Sequence, residues 1–123
     1  MTQAAPEPWP TEIRLSPDKQ TLAVSFDDGS HYSFSAEFLR VTSPSAEVQG
    51  HAPSQRQTVP GQIDVSIRSI DPVGNYAVRL NFSDGHHTGL YSWKYLAELG
   101  RDHDALWQRY LGEIEAKGLS RQG

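Results

Sequence analysis

The side chains with the most chemical potential are five histidines: His31, His51, His86, His87 and His103. Imidazole changes charge near neutral pH and is the commonest metal ligand, so histidines are the first place to look for a site. His86 and His87 directly follow the pair Asp84-Gly85, and His31 lies just beyond the matching pair Asp28-Gly29. Neighbours in a strand point to opposite faces, so a single site can use only one of His86 and His87. One reading is a metal or anion site built from His86 with His31 or His51. The plainer one makes all of them half-exposed strand and turn residues, and the spacing favours it. A second candidate is the stretch Ser43-Pro44-Ser45-Ala46-Glu47-Val48-Gln49-Gly50-His51. The hydroxyls of Ser43 and Ser45, the carboxylate of Glu47 and the imidazole of His51 are expected to line a contact surface, or else a solvated linker. Trp93, Tyr95, Trp107 and Tyr110 resemble an aromatic recognition patch, but their helical spacing fits core residues better.

The sequence excludes more than it identifies. It has no glycine-rich phosphate loop, no Gly-x-Ser-x-Gly elbow, no His-Glu-x-x-His and no dinucleotide fingerprint. It also has no cysteine, which removes disulfides, thiolate nucleophiles and thiolate metal sites. These absences argue against an enzyme acting alone. Eleven basic residues, scattered along the chain, face fifteen acidic ones for a net charge of −4. Nucleic acids are held mainly by clustered positive charge, so no nucleic-acid partner is expected. No apolar run reaches the ~18 residues of a membrane span, and the first residues lack the features of a secretory signal. No membrane is expected as a partner, and the cytoplasm is the expected compartment.

The 123 residues fit one domain with a single core. Residues 1–10, with three prolines, are expected to form an extended, flexible lead-in, residues 11–118 the domain, and residues 119–123 a frayed tail. Thr11 to Leu15 reads as a strand. Leu22, Val24 and Phe26 alternate with smaller residues as a half-buried strand. Asp27-Asp28-Gly29 makes a hairpin turn into a strand from His31 to Phe34. Ser35 caps a helix from Ala36 to Val41 with Glu37 in its first turn. Ser43 to Gly61 is expected to be a long irregular excursion, and such loops tend to carry function. Ile63, Val65 and Ile67 resume as a strand, Asp71 to Asn75 turns, and Tyr76 to Phe82 forms the next strand. Asp84-Gly85 turns into a strand from His86 to Tyr91. Ser92 caps a helix from Trp93 to Leu99 that Gly100 stops. Asp102 caps a last helix, with Leu106, Trp107, Tyr110, Leu111 and Ile114 on one face.

A repeat runs through this order. Phe26-Asp27-Asp28-Gly29-Ser30-His31 parallels Phe82-Ser83-Asp84-Gly85-His86-His87. Ser35-Ala36-Glu37-Phe38-Leu39 parallels Ser92-Trp93-Lys94-Tyr95-Leu96. Strand, turn, strand and serine-capped helix thus occur twice. The expected architecture is α+β: a small antiparallel β-sheet built from two hairpin-plus-helix repeats, with a C-terminal amphipathic helix packed on it.

Four strings also carry a family likeness: Phe26-Asp27-Asp28-Gly29, the run from Leu39 to Val48, the run from Asp71 to Val78, and Phe82-Ser83-Asp84-Gly85-His86 with Tyr91-Ser92-Trp93. Over roughly Trp9 to Gly100 the chain resembles the gamma-butyrobetaine hydroxylase-like N-terminal domain family, whose free-standing bacterial members are domains of unknown function. In the hydroxylases this domain precedes an iron- and 2-oxoglutarate-dependent catalytic domain, helps form the dimer, and holds zinc through three cysteines and a histidine. Carried over by position, the histidine is His86 and the cysteines are replaced by Ser43, Ser45 and Val48. The resemblance therefore leaves His86 as the one retained metal position and implies no zinc or other cofactor here. Without the catalytic domain it implies no hydroxylase activity either. Related domains are appended to iron–sulfur cluster carriers, which implies an adaptor role. The expected function is a non-catalytic binding domain for another protein or for itself as a homodimer. The alternative is a metal- or small-ligand-binding protein centred on His86. The expected interaction surface is Ser43, Ser45, Glu47, His51 and His86.

Overall fold

The structure, a computed structural model, describes residues 8–122. Residues 1–7, most of the expected lead-in, lie outside the described residues. The order of elements is β1 (Pro10–Leu15), β2 (Thr21–Phe26), β3 (His31–Ser35), α1 (Ala36–Val41), α2 (Ala46–Gln49), a 3₁₀ turn (Pro53–Gln55), β4 (Ile67–Val73), β5 (Ala77–Phe82), β6 (Leu90–Ser92), α3 (Trp93–Arg101) and α4 (His103–Ala116). The fold is α+β, and each repeat builds its own three-stranded antiparallel sheet, β1-β2-β3 and β4-β5-β6.

The repeat holds down to single hydrogen bonds. In the first turn Phe26 N–H donates to the Ser30 carbonyl at 2.9 Å, and Phe82 N–H donates to that of His86 at 2.9 Å in the second. Asp28 accepts from Ser30 N–H at 2.9 Å, and Asp84 accepts from His86 N–H at 3.0 Å. Gly29 and Gly85 have φ of +89° and +94°, the backbone region that glycine enters without a Cβ penalty. Ser35 accepts from Phe38 N–H at 3.0 Å and Ser92 from Tyr95 N–H at 3.1 Å, satisfying an orphan donor at each helix start.

The two sheets share one core. Leu22, Val24 and Phe34 from the first meet Ile67, Leu80, Phe82 and Tyr91 from the second, with Phe38, Leu39 and Leu96 from α1 and α3. Helix α3 packs on β3 of the other repeat, where Gly100 faces the ring of Tyr32. A Cβ at Gly100 would overlap that ring, so Gly100 does not stop the helix as expected; it permits close packing one residue before the end at Arg101. Helix α4 adds a smaller cluster of Val41, Tyr110 and Ile114, flanked by Trp107 and Leu111. Asp102 precedes α4 but makes no side-chain cap, because its carboxylate pairs with Arg101.

Several boundaries differ from those expected. Ile63 and Val65 do not begin a strand with Ile67. Their segment turns instead to the C-terminal tail: Gly61 N–H donates to the Ser120 carbonyl and Ile63 N–H to that of Arg121, each at 2.9 Å. The tail, expected to fray, is held further by Arg121, which forks onto the buried Glu37 at 2.8 and 2.7 Å and lies over the Trp107 ring. Asp71, Pro72 and Val73 are strand rather than turn; β4 pairs only with β5, and an edge strand tolerates proline. Residues 86–89 are not strand, and β6 is only three residues long. Among the described residues no helix is long and apolar enough to cross a membrane.

Candidate functional site

Helix α1 ends at Thr42, whose hydroxyl folds back to the Phe38 carbonyl at 2.7 Å. Chain direction then changes, and three side chains capture the carbonyls left open. Tyr91 donates to Leu39, Tyr95 to Thr42, and the Gln49 amide to Ser43 at 2.8 Å. This anchoring fixes Ser43 against the second hairpin. The segment 43–61 is largely irregular as expected, but Ser45 caps the one-turn helix α2 within it by accepting from Glu47 N–H at 3.2 Å.

Ser43 Oγ lies 2.8 Å from His86 Nε2, and Glu47 Oε2 lies 3.3 Å from His86 Nδ1. Burial pushes the imidazole below its ordinary pKa, and the nearby Arg40 charge acts in the same direction, outweighing Glu47 and Asp84. The ring is therefore neutral at neutral pH. A neutral ring facing a carboxylate at Nδ1 carries its proton there, so Nε2 accepts from the Ser43 hydroxyl. That hydroxyl also accepts from Ser45 N–H at 3.3 Å. Behind the ring, Asp84 Oδ1 holds the His86 N–H, and Asp84 Oδ2 accepts from Arg40 Nε at 2.8 Å. Burial raises the Asp84 pKa, but the His86 N–H and the Arg40 guanidinium more than offset it and leave the pKa lowered. Ser45 Oγ bonds Thr88 Oγ1 at 2.7 Å, closing the contact between the two loops.

Serine hydroxyl, imidazole and carboxylate occur here in the order used by acyl-transfer nucleophiles. Access is what such a nucleophile needs, and Ser43 is 0% exposed. Gly89 lies directly against its hydroxyl, so close that a Cβ there would overlap Ser43 Oγ. The arrangement is suited to clamping two loops across the repeats.

Of the five residues expected to form an interaction surface, Ser43, Ser45 and His86 are buried and only Glu47 and His51 are exposed. Polar side chains near a turn look solvent-facing in a sequence, but here each finds a partner inside. His31 bonds Ser25 Oγ at 2.7 Å in the first sheet, and His87 bonds the Gly85 carbonyl at 2.9 Å. His51 stays in the loop, and His103 packs on Phe38 with ring centroids 4.4 Å apart. Neither His31 nor His51 takes a hydrogen bond from His86. Arg40, Asp84, Thr88 and Gly89 complete the site but were not singled out in the sequence. Asp84 alone had a signal, as a turn aspartate, while Gly89 had none.

The four positions that match a zinc site in the resemblance do not suit one here. Val48 offers no donor and is buried, while the hydroxyls of Ser43 and Ser45 are committed to His86 and Thr88. Among the described residues no three or more His, Cys, Asp or Glu side chains gather in a way that could hold a metal ion.

No curated protein matches the chain. Solved structures resemble it, three of them at 40–45% identity. One, an NMR solution structure, is 45% identical, covers 98% of this chain and 90% of its own, and has a TM-score of 0.81. A second NMR structure is 42% identical over 95% and 92%, also with a TM-score of 0.81. The third is a crystal structure of a protein of unknown function from Acidithiobacillus ferrooxidans, placed in the DUF971 family. It is 40% identical over 74% of this chain and 91% of its own, with a TM-score of 0.62. The family model described as "Gamma-butyrobetaine hydroxylase-like, N-terminal" matches residues 13–97, so the chain belongs to that family.

Proposed function

We propose that this domain acts by contact, as a non-catalytic adaptor that binds another protein or a second copy of itself. The observation that supports it best is the fate of the chemically capable groups. The Ser43 hydroxyl and His86 Nε2 are spent on each other, Nδ1 faces the Glu47 carboxylate at 3.3 Å, and Ser43 has no exposed surface. What lies exposed on and just after these loops is a carboxylate, Glu47, the hydroxyl-bearing Thr88 and, at the start of β6, the apolar Leu90. A surface of that kind recognises a partner by shape and a few polar contacts. Iron–sulfur carriers and 2-oxoglutarate oxygenases, with which the family is associated, are the first partners to test. The alternative centred on His86 gains no support from an imidazole whose two nitrogens are already engaged.

The test pairs affinity capture with reconstitution. Partners recovered by the native protein are purified and titrated against it and against a Glu47→Lys/Leu90→Lys double variant, while sedimentation measures self-association of both. The double variant should lose binding by at least about tenfold. Undiminished binding, or a native protein that neither self-associates nor retains a partner, contradicts the proposal.

A further inference from the structure

A second feature lies on other residues. Between the segment after α1 and the paired helices α3 and α4 lies a cavity of 250 Å³, with a shallower one of 400 Å³ next to it. Gln49, Arg56 and Arg109 line both, which makes the two adjacent. Their charges are segregated. Glu98 and Asp102 border only the smaller cavity, whereas the larger one carries Arg56, Arg109 and His51 with no acid.

Two of these charges are unmatched. Arg56 pairs with Glu113, and Asp102 pairs with its neighbour Arg101. Among the described residues Glu98 and Arg109 have no ion-pair partner, and although they border the same cavity they do not pair with each other. Both nonetheless act on Tyr95, which lines the space between: Glu98 raises the pKa of its phenol and Arg109 lowers it. Glu98 is half-buried with the Arg101 charge near enough to act on it, whereas Arg109 is exposed. The cavity thus carries one acid and one base that are not paired with each other.

We propose that the smaller cavity binds a small zwitterion of the amino-acid class, its ammonium group on Glu98 and its carboxylate on Arg109. The aliphatic part of such a ligand lies on Leu99 and Leu106, with the ring of Tyr95 beside the ammonium end. Arg56 and Asp102, already paired, reinforce the field at either end. A cavity of 250 Å³ is at the small end of ligand sites and suits a molecule of this size. The proposal is independent of the contact surface at Glu47 and Leu90, since it shares no residue with it.

The experiment is an amide chemical-shift titration of the full chain. Its probes are glycine, L-alanine and the linear ω-amino acids up to 6-aminohexanoate, with butyrate and butylamine as single-charge controls. At least one zwitterion should give saturable shifts at Thr42, Gln49, Leu99 and Leu106, with Kd of about 0.1–1 mM, as expected for so small a ligand. Both controls should bind at least about tenfold more weakly, and Glu98→Gln and Arg109→Gln should each weaken the zwitterion to a similar degree. The proposal is overturned if no probe saturates up to about 20 mM. It is equally overturned if butyrate or butylamine binds as well as the zwitterion, a result that needs no variant to interpret, or if both folded variants bind normally.

Discussion

At the scale of single residues, the molecule uses reactive-looking groups for structure. The Ser43 hydroxyl is the partner of His86 Nε2, so Ser43→Ala leaves a buried imidazole nitrogen without its donor. That change should cost about 1–3 kcal/mol by urea denaturation, and a cost near zero would remove the pair from the clamp. The tyrosines add a pH dependence. Burial raises the phenols of Tyr95 and Tyr110 to about 12 from an ordinary value of 10.0, and each donates to a main-chain carbonyl that a phenolate could not use. An acid whose pKa is higher in the folded state stabilises the fold in its protonated form. Their contribution is therefore complete below pH 10 and lost as pH rises from 10 towards 12. Melting temperature should fall over that window, and less steeply in Tyr95→Phe. An unchanged slope in Tyr95→Phe contradicts this assignment. The sequence singled out His86 and Ser43 among five residues of an expected contact surface, not as a pair, and placed them outside. Only the packing of Gly89 and the anchored carbonyls after α1 puts them inside, and neither follows from local pattern.

At the scale of elements, the alternating strands and serine-capped helices were readable because each follows from local rules. Leu22, Val24 and Phe26 alternate over one buried face, and Ser35 and Ser92 cap where the repeat places them. The misplaced pieces are those fixed by non-local contacts, as at Ile63, whose N–H goes to the tail, and at His86 and Gly89, which are buried against Ser43. The two helical glycines Gly100 and Gly112 make a sharp contrast. A Cβ at Gly100 would overlap the Tyr32 ring, but one at Gly112 in α4 meets nothing within 4 Å. Intrinsic helix preference would favour alanine at both by up to about 1 kcal/mol. Gly112→Ala should thus stabilise the protein by roughly that amount, and Gly100→Ala should destabilise it by about 1–3 kcal/mol because it overpacks a filled contact. Thermal unfolding of the two variants measures this, and a shift of the same sign in both would mean that α3 does not press on β3. Leu111 is only half-buried, so Ile114 rather than Leu111 is the main apolar anchor of α4.

At the scale of the whole molecule, the α+β class and the twofold repeat were legible, while the joining of the halves was not. Strands β2-β3 with α1 and strands β5-β6 with α3 each close locally; beyond the shared core, Arg40–Asp84 and Ser43–His86 tie the halves together, and Arg121–Glu37 ties the C-terminal tail to α1. Such pairs are separated by more than forty residues, and no pattern in a single sequence brings them together. Removing residues 119–123 should expose this dependence, because Glu37 is buried and loses its guanidinium partner. A loss of about 2 kcal/mol in urea denaturation is expected, discounted for the partial exposure of Arg121. A truncated chain as stable as the full one would mean that the tail merely rests on the surface. Ser43 and His86 form an enclosed tie between the repeats, with Glu47 on its exposed side. Incubation of the folded protein with a fluorophosphonate, read by intact mass and peptide mapping, tests this most directly. An unmodified Ser43 is the predicted result, and a stoichiometric adduct on Ser43 would contradict it.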